Sequence, residues 1–201
     1  MNKITKPLRI AIADDEPDVR QFFRELLPYL GHELVAEAAD GRQLADRCRD
    51  VHPDLLITDV RMPVLDGISA AEEVNRLGPV PVILVTAHHD PDTLARAGAD
   101  WVMAYLAKPA KPVDLEAAIQ LAMLRFAHFQ MLKREAEDLR QALEDRKVIE
   151  RAKGAIMRRL GVGEDDAFRR LRTSASSRNL KLIEAARQVI AAEAVFADLT
   201  Q

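Results

Sequence analysis

Four groups of polar residues in this chain have chemistry to offer, and all four sit in the same kind of place. Asp14 and Asp15 follow the apolar run 8–13, and Asp59 follows the run 55–58. Thr86 and Ala87 follow residues 80–85, and Lys108-Pro109 follows residues 103–107. In a parallel α/β sheet the C-terminal strand ends meet at one edge, which is where ligands bind. Three carboxylates, a hydroxyl and an ammonium would converge there. Oxygen donors of that number suit a hard divalent cation such as Mg²⁺, with Asp14, Asp15 and Asp59 as ligands. Phosphoryl transfer needs an in-line nucleophile and neutralisation of equatorial oxygen charge. Asp59 would be the nucleophile and form an acyl phosphate. The metal and Lys108 would neutralise the incoming oxygens, Thr86 would donate a hydrogen bond, and Pro109 is a candidate for a cis bond.

Taken singly, each residue has a plainer reading. An Asp at a strand end is commonly a helix N-cap, Thr is a β-former, and Lys before Pro is often a solvated loop residue. Those readings do not explain why four such residues fall, in order, at four strand ends.

The elements that must position them are legible from periodicity. Runs 8–13, 34–38, 55–58, 80–85 and 103–107 read as strands, and the first, third and fourth are nearly all apolar, as strands covered on both faces are. Val19, Phe22, Phe23, Leu26 and Leu27 recur at helical spacing behind Pro17, which suits a first turn. Leu44, Ala45, Cys48 and Val51 mark a second helix, and Ile68, Ala71 and Val74 a third. A weaker fourth runs from about 91 to 97. Repeated βα units predict an open, five-stranded parallel sheet wound with helices on both faces.

Beyond Pro112 the pattern changes. Residues 114–160 contain no Pro and only one Gly, Gly154. Leu115, Ile119, Ala122, Phe126 and Phe129 step by four and three, and so do Leu132, Ala136, Leu139 and Leu143. The phase slips once between Phe129 and Leu132. Charged residues fill the other face, so this stretch reads as one long helix whose second half is a coiled-coil seam for a homodimer. The alternative is a helix packed along its own domain. Three shorter patterns follow: Ile149, Ala152, Ile156 and Leu160; then Ala167, Phe168 and Leu171; then Leu182, Ile183, Ala186, Val189 and Ile190. They predict a small three-helix bundle. The expected division is a first domain at 1–115, a coiled-coil linker at 116–145 and a helical domain at 146–201.

Net charge splits along this division. Residues 1–116 carry 13 Lys+Arg against 20 Asp+Glu, whereas residues 146–187 carry 12 against 5. An acidic front and a basic rear suggest different partners. The single cysteine excludes an internal disulfide framework and fits a reducing compartment. No apolar run approaches membrane-spanning length, so a cytoplasmic protein with no membrane partner is expected.

Residues 8–120 resemble the receiver domain of two-component response regulators. The matching residues are Asp14-Asp15, Asp59-Val60-Arg61-Met62-Pro63 with Asp66-Gly67, Thr86-Ala87, and Tyr105-Leu106-Ala107-Lys108-Pro109. The resemblance implies a flavodoxin-like fold and a histidine kinase that donates a phosphoryl group to Asp59. It adds the Arg61 backbone carbonyl to the Mg²⁺ ligands and makes Thr86 and Tyr105 a switch pair. Such a domain is a phosphoacceptor, and no enzyme activity is expected of the chain. The family's usual Gly-Ala-Asp-Ala-Tyr stretch is lengthened here between Gly98 and Tyr105.

The rear resembles an ANTAR domain, the RNA-binding output module of transcription antitermination regulators. The resemblance covers about 143–196 and rests on residues 151–157, 164–168, Leu171-Arg172, Ser174 and Ala185-Ala186. It implies a structured leader RNA with paired hairpin loops as partner. Candidate RNA contacts are Arg151, Lys153, Arg158, Arg172 and Arg178, with Gly154 permitting close approach. Apart from Phe168 and Phe196, which read as core, residues 146–201 carry no aromatic, so Arg planes would have to stack on bases. Basic residues spread over three helices argue against a single DNA-recognition helix. A protein-interaction scaffold and a DNA-binding regulator are the competing readings.

Overall fold

The computed structural model describes residues 6–87 and 101–198. Five strands form one sheet: β1 (Arg9–Ala13), β2 (Glu33–Ala38), β3 (Leu55–Asp59), β4 (Val82–Thr86) and β5 (Val102–Ala107). All pairings are parallel, in the order β2-β1-β3-β4-β5. Six helices lie among the described residues: α1 (Pro17–Tyr29), α2 (Gly41–Val51), α3 (Gly67–Leu77), α4 (Pro112–Leu160), α5 (Glu164–Ser177) and α6 (Leu182–Asp198). The helix expected near 91–97 lies outside the described residues. The chain divides into two compact units, Met1–Met131 and Leu132–Gln201, and α4 contributes residues to both.

In the first unit, period-two alternation along the strands builds two cores. Ile10, Ile12, Leu55, Ile57, Ile83 and Val85 face Phe23, Leu26 and Leu27 of α1 and Leu115, Ile119 and Ala122 of α4. Ala11, Ala13, Leu56, Val82 and Leu84 face Leu44, Ala45 and Cys48 of α2 and Ile68, Ala71 and Val74 of α3. The sheet is thus doubly wound, with α1 and α4 on one face and α2 and α3 on the other. Strand order reverses between β1 and β3, so a crevice opens there at the C-terminal edge.

Local signals set the helix ends. Asp40 caps α2, its Oδ1 accepting from the Gln43 N–H at 2.8 Å, and Asp66 caps α3 in the same way through the Ser69 N–H at 2.9 Å. Helix α1 closes in a Schellman turn: Gly31 has φ +83°, its N–H reaches the Pro28 carbonyl, and the His32 N–H reaches that of Leu27.

The second unit is a three-helix bundle. Ala152 of α4, Leu171 and Ala175 of α5, and Ala185 and Ala186 of α6 form its core, flanked by Val148, Ile149, Ile156, Leu182, Val189 and Ile190. One apolar residue departs from expectation. Phe168 is 39% exposed, because it lies one residue, about 100° of helix, from the buried Ala167. Its ring takes the Lys153 ammonium at 5.9 Å. Another Schellman turn ends α5: Asn179 sits at φ +52°, its N–H bonds the Ser176 carbonyl, and the Leu180 N–H bonds that of Ala175.

Candidate functional site

The β1–β3 crevice gathers the acids. Asp14 is one residue past β1 and 1% exposed, and Asp59 ends β3 at 8%. Lys108, one residue past β5, reaches across to them. Its Nζ lies 2.7 Å from Asp59 Oδ2, 2.9 Å from Asp14 Oδ2 and 2.8 Å from Glu16 Oε1. The Lys108–Pro109 bond is cis. Carboxylate oxygens of Asp14, Asp15, Glu16 and Asp59 all lie within 4.8 Å of one another.

Backbone groups fix these side chains. The Glu16 N–H donates to Asp14 Oδ1 at 3.0 Å, and the Arg61 N–H donates to Asp59 Oδ1 at 3.2 Å. Arg20 holds the turn after β1 from below, its guanidinium donating to the carbonyls of Asp14 and Asp15. Under Asp59 the packing leaves no slack, since a Cβ on Gly67 would lie 1.8 Å from the Asp59 carbonyl oxygen. Only glycine lets α3 start this close to the strand end.

Burial raises the Asp14 carboxyl above its ordinary range, although Lys108 and the Glu16 N–H act to lower it. Burial alone would pull the Lys108 ammonium down. Hydrogen bonds to Asp59 and Glu16, together with the close Asp14 carboxylate, more than offset this and hold it well above the usual lysine range. The site therefore keeps one cation among four acids. Asp14 Oδ2, although 2.9 Å from that cation, receives no well-directed hydrogen bond. A buried, under-satisfied carboxylate oxygen within an all-oxygen donor set fits a hard cation such as Mg²⁺. Asp14, Asp15 and Asp59 came from the sequence, whereas Glu16 did not. Its only signal in the sequence is adjacency to Asp15.

The remaining receiver residues fall as follows. Thr86 ends β4, and its carbonyl accepts the Lys108 N–H at 2.9 Å. Tyr105 pairs with Leu84 while Thr86 pairs with Ala107, which sets Tyr105 and Thr86 diagonally on adjacent strands. Tyr105 is 41% exposed, and partial burial raises its hydroxyl pKa. Ala87 lines an apolar groove with Val19, Phe22, Val85, Lys108 and Pro109 beside the acids. Cys48 is buried and free, and burial pushes its thiol up to about 12.

In the second unit the candidate contacts separate. Lys153 is 7% exposed. Its Nζ is held by Glu164 at 2.6 Å and Glu150 at 2.9 Å, so its charge is spent inside the bundle. Arg158 pairs with Glu193 at 2.6 Å. Arg151, Arg172 and Arg178 are exposed and form no ion pair among the described residues. The acidic start of α5, one conceivable partner for Arg172, is taken instead: Asp166 pairs with Arg169 and Arg170. Among the described residues a Cβ on Gly154 would meet only Arg158 Nη1, at 3.4 Å, so no backbone of another described element explains the glycine.

A family model for the response regulator receiver domain matches residues 10–120, and one for the ANTAR domain matches residues 137–190. Over 184 residues the chain is 39% identical to the transcriptional regulatory protein PdtaR of Mycobacterium tuberculosis, a match covering 92% of this chain and 90% of that protein. A probable transcriptional regulator, ycf27, of Galdieria sulphuraria is 33% identical over 132 residues, 64% of this chain and 50% of that one. Among solved structures, the receiver domain of a NarL response regulator from Mycobacterium tuberculosis superposes with a TM-score of 0.54 at 27% identity, covering 57% of this chain and 94% of that one. The chemotaxis protein CheY4 of Vibrio cholerae gives 0.54 at 26% identity, over 58% of this chain and 99% of that one.

Proposed function

We propose that this chain, which belongs to the response regulator receiver family and carries an ANTAR domain behind its receiver, is a phosphorylation-controlled regulator that binds structured RNA and acts by transcription antitermination. The observation that carries the input side is Lys108 Nζ standing within 2.9 Å of both Asp59 and Asp14 at the crevice between β1 and β3. A cation poised beside a carboxylate at a strand end is what an aspartyl phosphate requires of its protein.

An Asp59 oxygen attacks phosphorus in line, and the P–N bond to the donor histidine of a kinase breaks. The leaving imidazole keeps the electron pair and takes up a proton. Asp14, Asp15 and Asp59, with the Arg61 carbonyl that the family pattern adds, would hold Mg²⁺, which when bound offsets charge on the phosphoryl oxygens. Lys108 supplies positive charge from the β5 side and follows the charge as it moves from carboxylate to phosphoryl oxygen. Thr86 donates its hydroxyl to the phosphoryl group, and Tyr105, diagonal to it, reports the change at the surface. Residues 1–115 receive the signal with the start of α4 packed into their core, the exposed stretch 131–144 of the expected 116–145 linker pairs two copies, and 146–201 bind RNA in the cytoplasm.

Asp59→Asn tests the acceptor. Incubated with phosphoramidate and Mg²⁺, the wild-type chain should become acid-labile phosphoprotein, seen as retarded migration in a phosphate-affinity gel, and the variant should not. Wild-type labelling of the variant would sink the acceptor assignment. For the output, binding to hairpin RNA should weaken steeply with salt while duplex DNA of equal length is not bound. Equal binding to duplex DNA would favour the DNA-binding alternative.

A further inference from the structure

We infer that the outer face of α5, centred on Arg169, Arg172, Thr173 and Ser176, binds the sugar–phosphate backbone of a paired RNA stem, without reading its sequence. This rests on the RNA-binding reading above and names the part of the RNA engaged. Arg169, Arg172, Thr173, Ser176 and Ser177 line a shallow open groove along one side of the helix. The opposite side carries Ala167, Leu171 and Ala175 into the bundle core, so the groove face is committed to solvent. Arg172 is exposed and free of ion pairs among the described residues. Among the described residues Arg169 pairs with Asp166, and 74% of its side chain is exposed.

Past the acidic first turn of α5, whose Asp166 holds Arg169 and Arg170, charge along the groove has one sign. Residues 167–183 contain five Arg or Lys and no Asp or Glu. The Schellman turn at Asn179 stops the helix where Arg178 extends this tract. Guanidinium groups beside small hydroxyl side chains are the usual donors to phosphate and sugar oxygens.

What the face lacks decides between partners. A protein interface needs an apolar or aromatic anchor at its centre; Leu171 and Ala175 are buried, Leu180 is partly buried, and Phe168, one turn before Arg172 and 39% exposed, lies at the rim with the Lys153 ammonium over its ring. Unpaired RNA loops are read by stacking on aromatic rings; the one ring near this face, Phe168, already carries the Lys153 ammonium at 5.9 Å, and residues 169–181 add no other. Paired RNA, by contrast, is recognised through phosphates and 2′-hydroxyls, by shape. On α4, Lys153 and Arg158 are already paired, whereas Arg151 is exposed and could add a contact beside this face.

The test uses the full chain, with and without phosphoramidate, and a 20-base-pair RNA stem of arbitrary sequence closed by a tetraloop as the probe. Anisotropy titrations across a salt series would compare wild type with Arg172→Ala and with Arg169→Ala/Arg172→Ala. Each lost phosphate contact should lower the log–log salt slope by about 1. The double variant should bind roughly tenfold or more weakly at low salt, and changing the stem sequence should leave these losses unchanged. Circular dichroism should report wild-type helicity, since both side chains are exposed. If the variants bind RNA with wild-type affinity and slope, the α5 assignment fails while the RNA reading stands. If the wild-type chain binds no RNA in either state, both fail. If a polyglutamate peptide, and not the RNA stem, binds and is lost in the double variant, the face is an acidic-protein site and the inference is overturned.

Discussion

Individual residues in this chain often serve several neighbours at once. Glu37 accepts from Arg24 and Arg20 through its carboxylate, while its carbonyl accepts from Arg47, so the edge strand β2 is tied to both α1 and α2. Hydrogen bonds from Arg24 first, then its charge and Arg20, hold the Glu37 carboxyl below its ordinary range against the opposing effect of burial. A folded-state value below the unfolded one gives stability that is present above the unfolded value and is lost as pH falls through the folded one. Urea unfolding should therefore separate wild type from Glu37→Gln at about pH 7, and the gap should close toward about pH 3. Gly67 offers a harsher test. Its missing Cβ makes room for the Asp59 carbonyl oxygen, at 1.8 Å, and Thr58 Oγ1, at 2.6 Å. Gly67→Ala should cost about 1–3 kcal/mol through overpacking. It should also slow phosphorylation by phosphoramidate, because the backbone that must shift carries Asp59. Unchanged denaturation and labelling would mean that the strand end yields freely.

At the scale of elements, periodicity and caps were reliable guides. Apolar spacing located the described helices, and the near-continuous apolar runs marked strands buried on both faces. Asp40 illustrates how a local signal sets a boundary. It accepts the Gln43 N–H and also bonds the Gln43 amide, an N-terminal arrangement of the capping-box kind. Asp40→Ala should destabilise the first unit by about 1 kcal/mol, seen as a lower urea midpoint with unchanged m. Helix α5 is where spacing misled. Ala167, Phe168 and Leu171 looked like one apolar face, yet Ala175 takes the core position and Phe168 stays at the rim under Lys153. Small residues that become core by contact with another helix give little signal of their own in a hydrophobic pattern.

At the scale of the whole molecule, the informative region is the uncovered part of α4. Every residue from 131 to 144 is exposed in the single chain, including Leu132, Ala136, Leu139 and Leu143. Such a stripe at heptad spacing is what a second copy would bury. Leu139→Glu should convert dimer to monomer in sedimentation experiments at micromolar concentration, and should weaken binding to a two-hairpin RNA more than to one hairpin, since avidity is lost. A wild-type chain that sediments as a monomer in both phosphorylation states would remove the dimer from the proposal.

The sequence by itself determined the strand ends and hence the convergence of Asp14, Asp59 and Lys108. Parallel topology forces C-terminal strand ends to one edge, and apolar runs are visible without coordinates. It also determined the long helix and the basic rear, because charge and period are local properties. Only the tertiary structure added Glu16 to the acid cluster, since its reach to Lys108 spans 92 residues of chain. Only it separated the basic residues that are spent from those that are free. Lys153 and Arg172 look alike in sequence, but the fold packs Glu164 and Glu150 around one and leaves the other in solvent. Pairing depends on which acids the bundle brings within about 4 Å, and that distance exists only after the helices have packed.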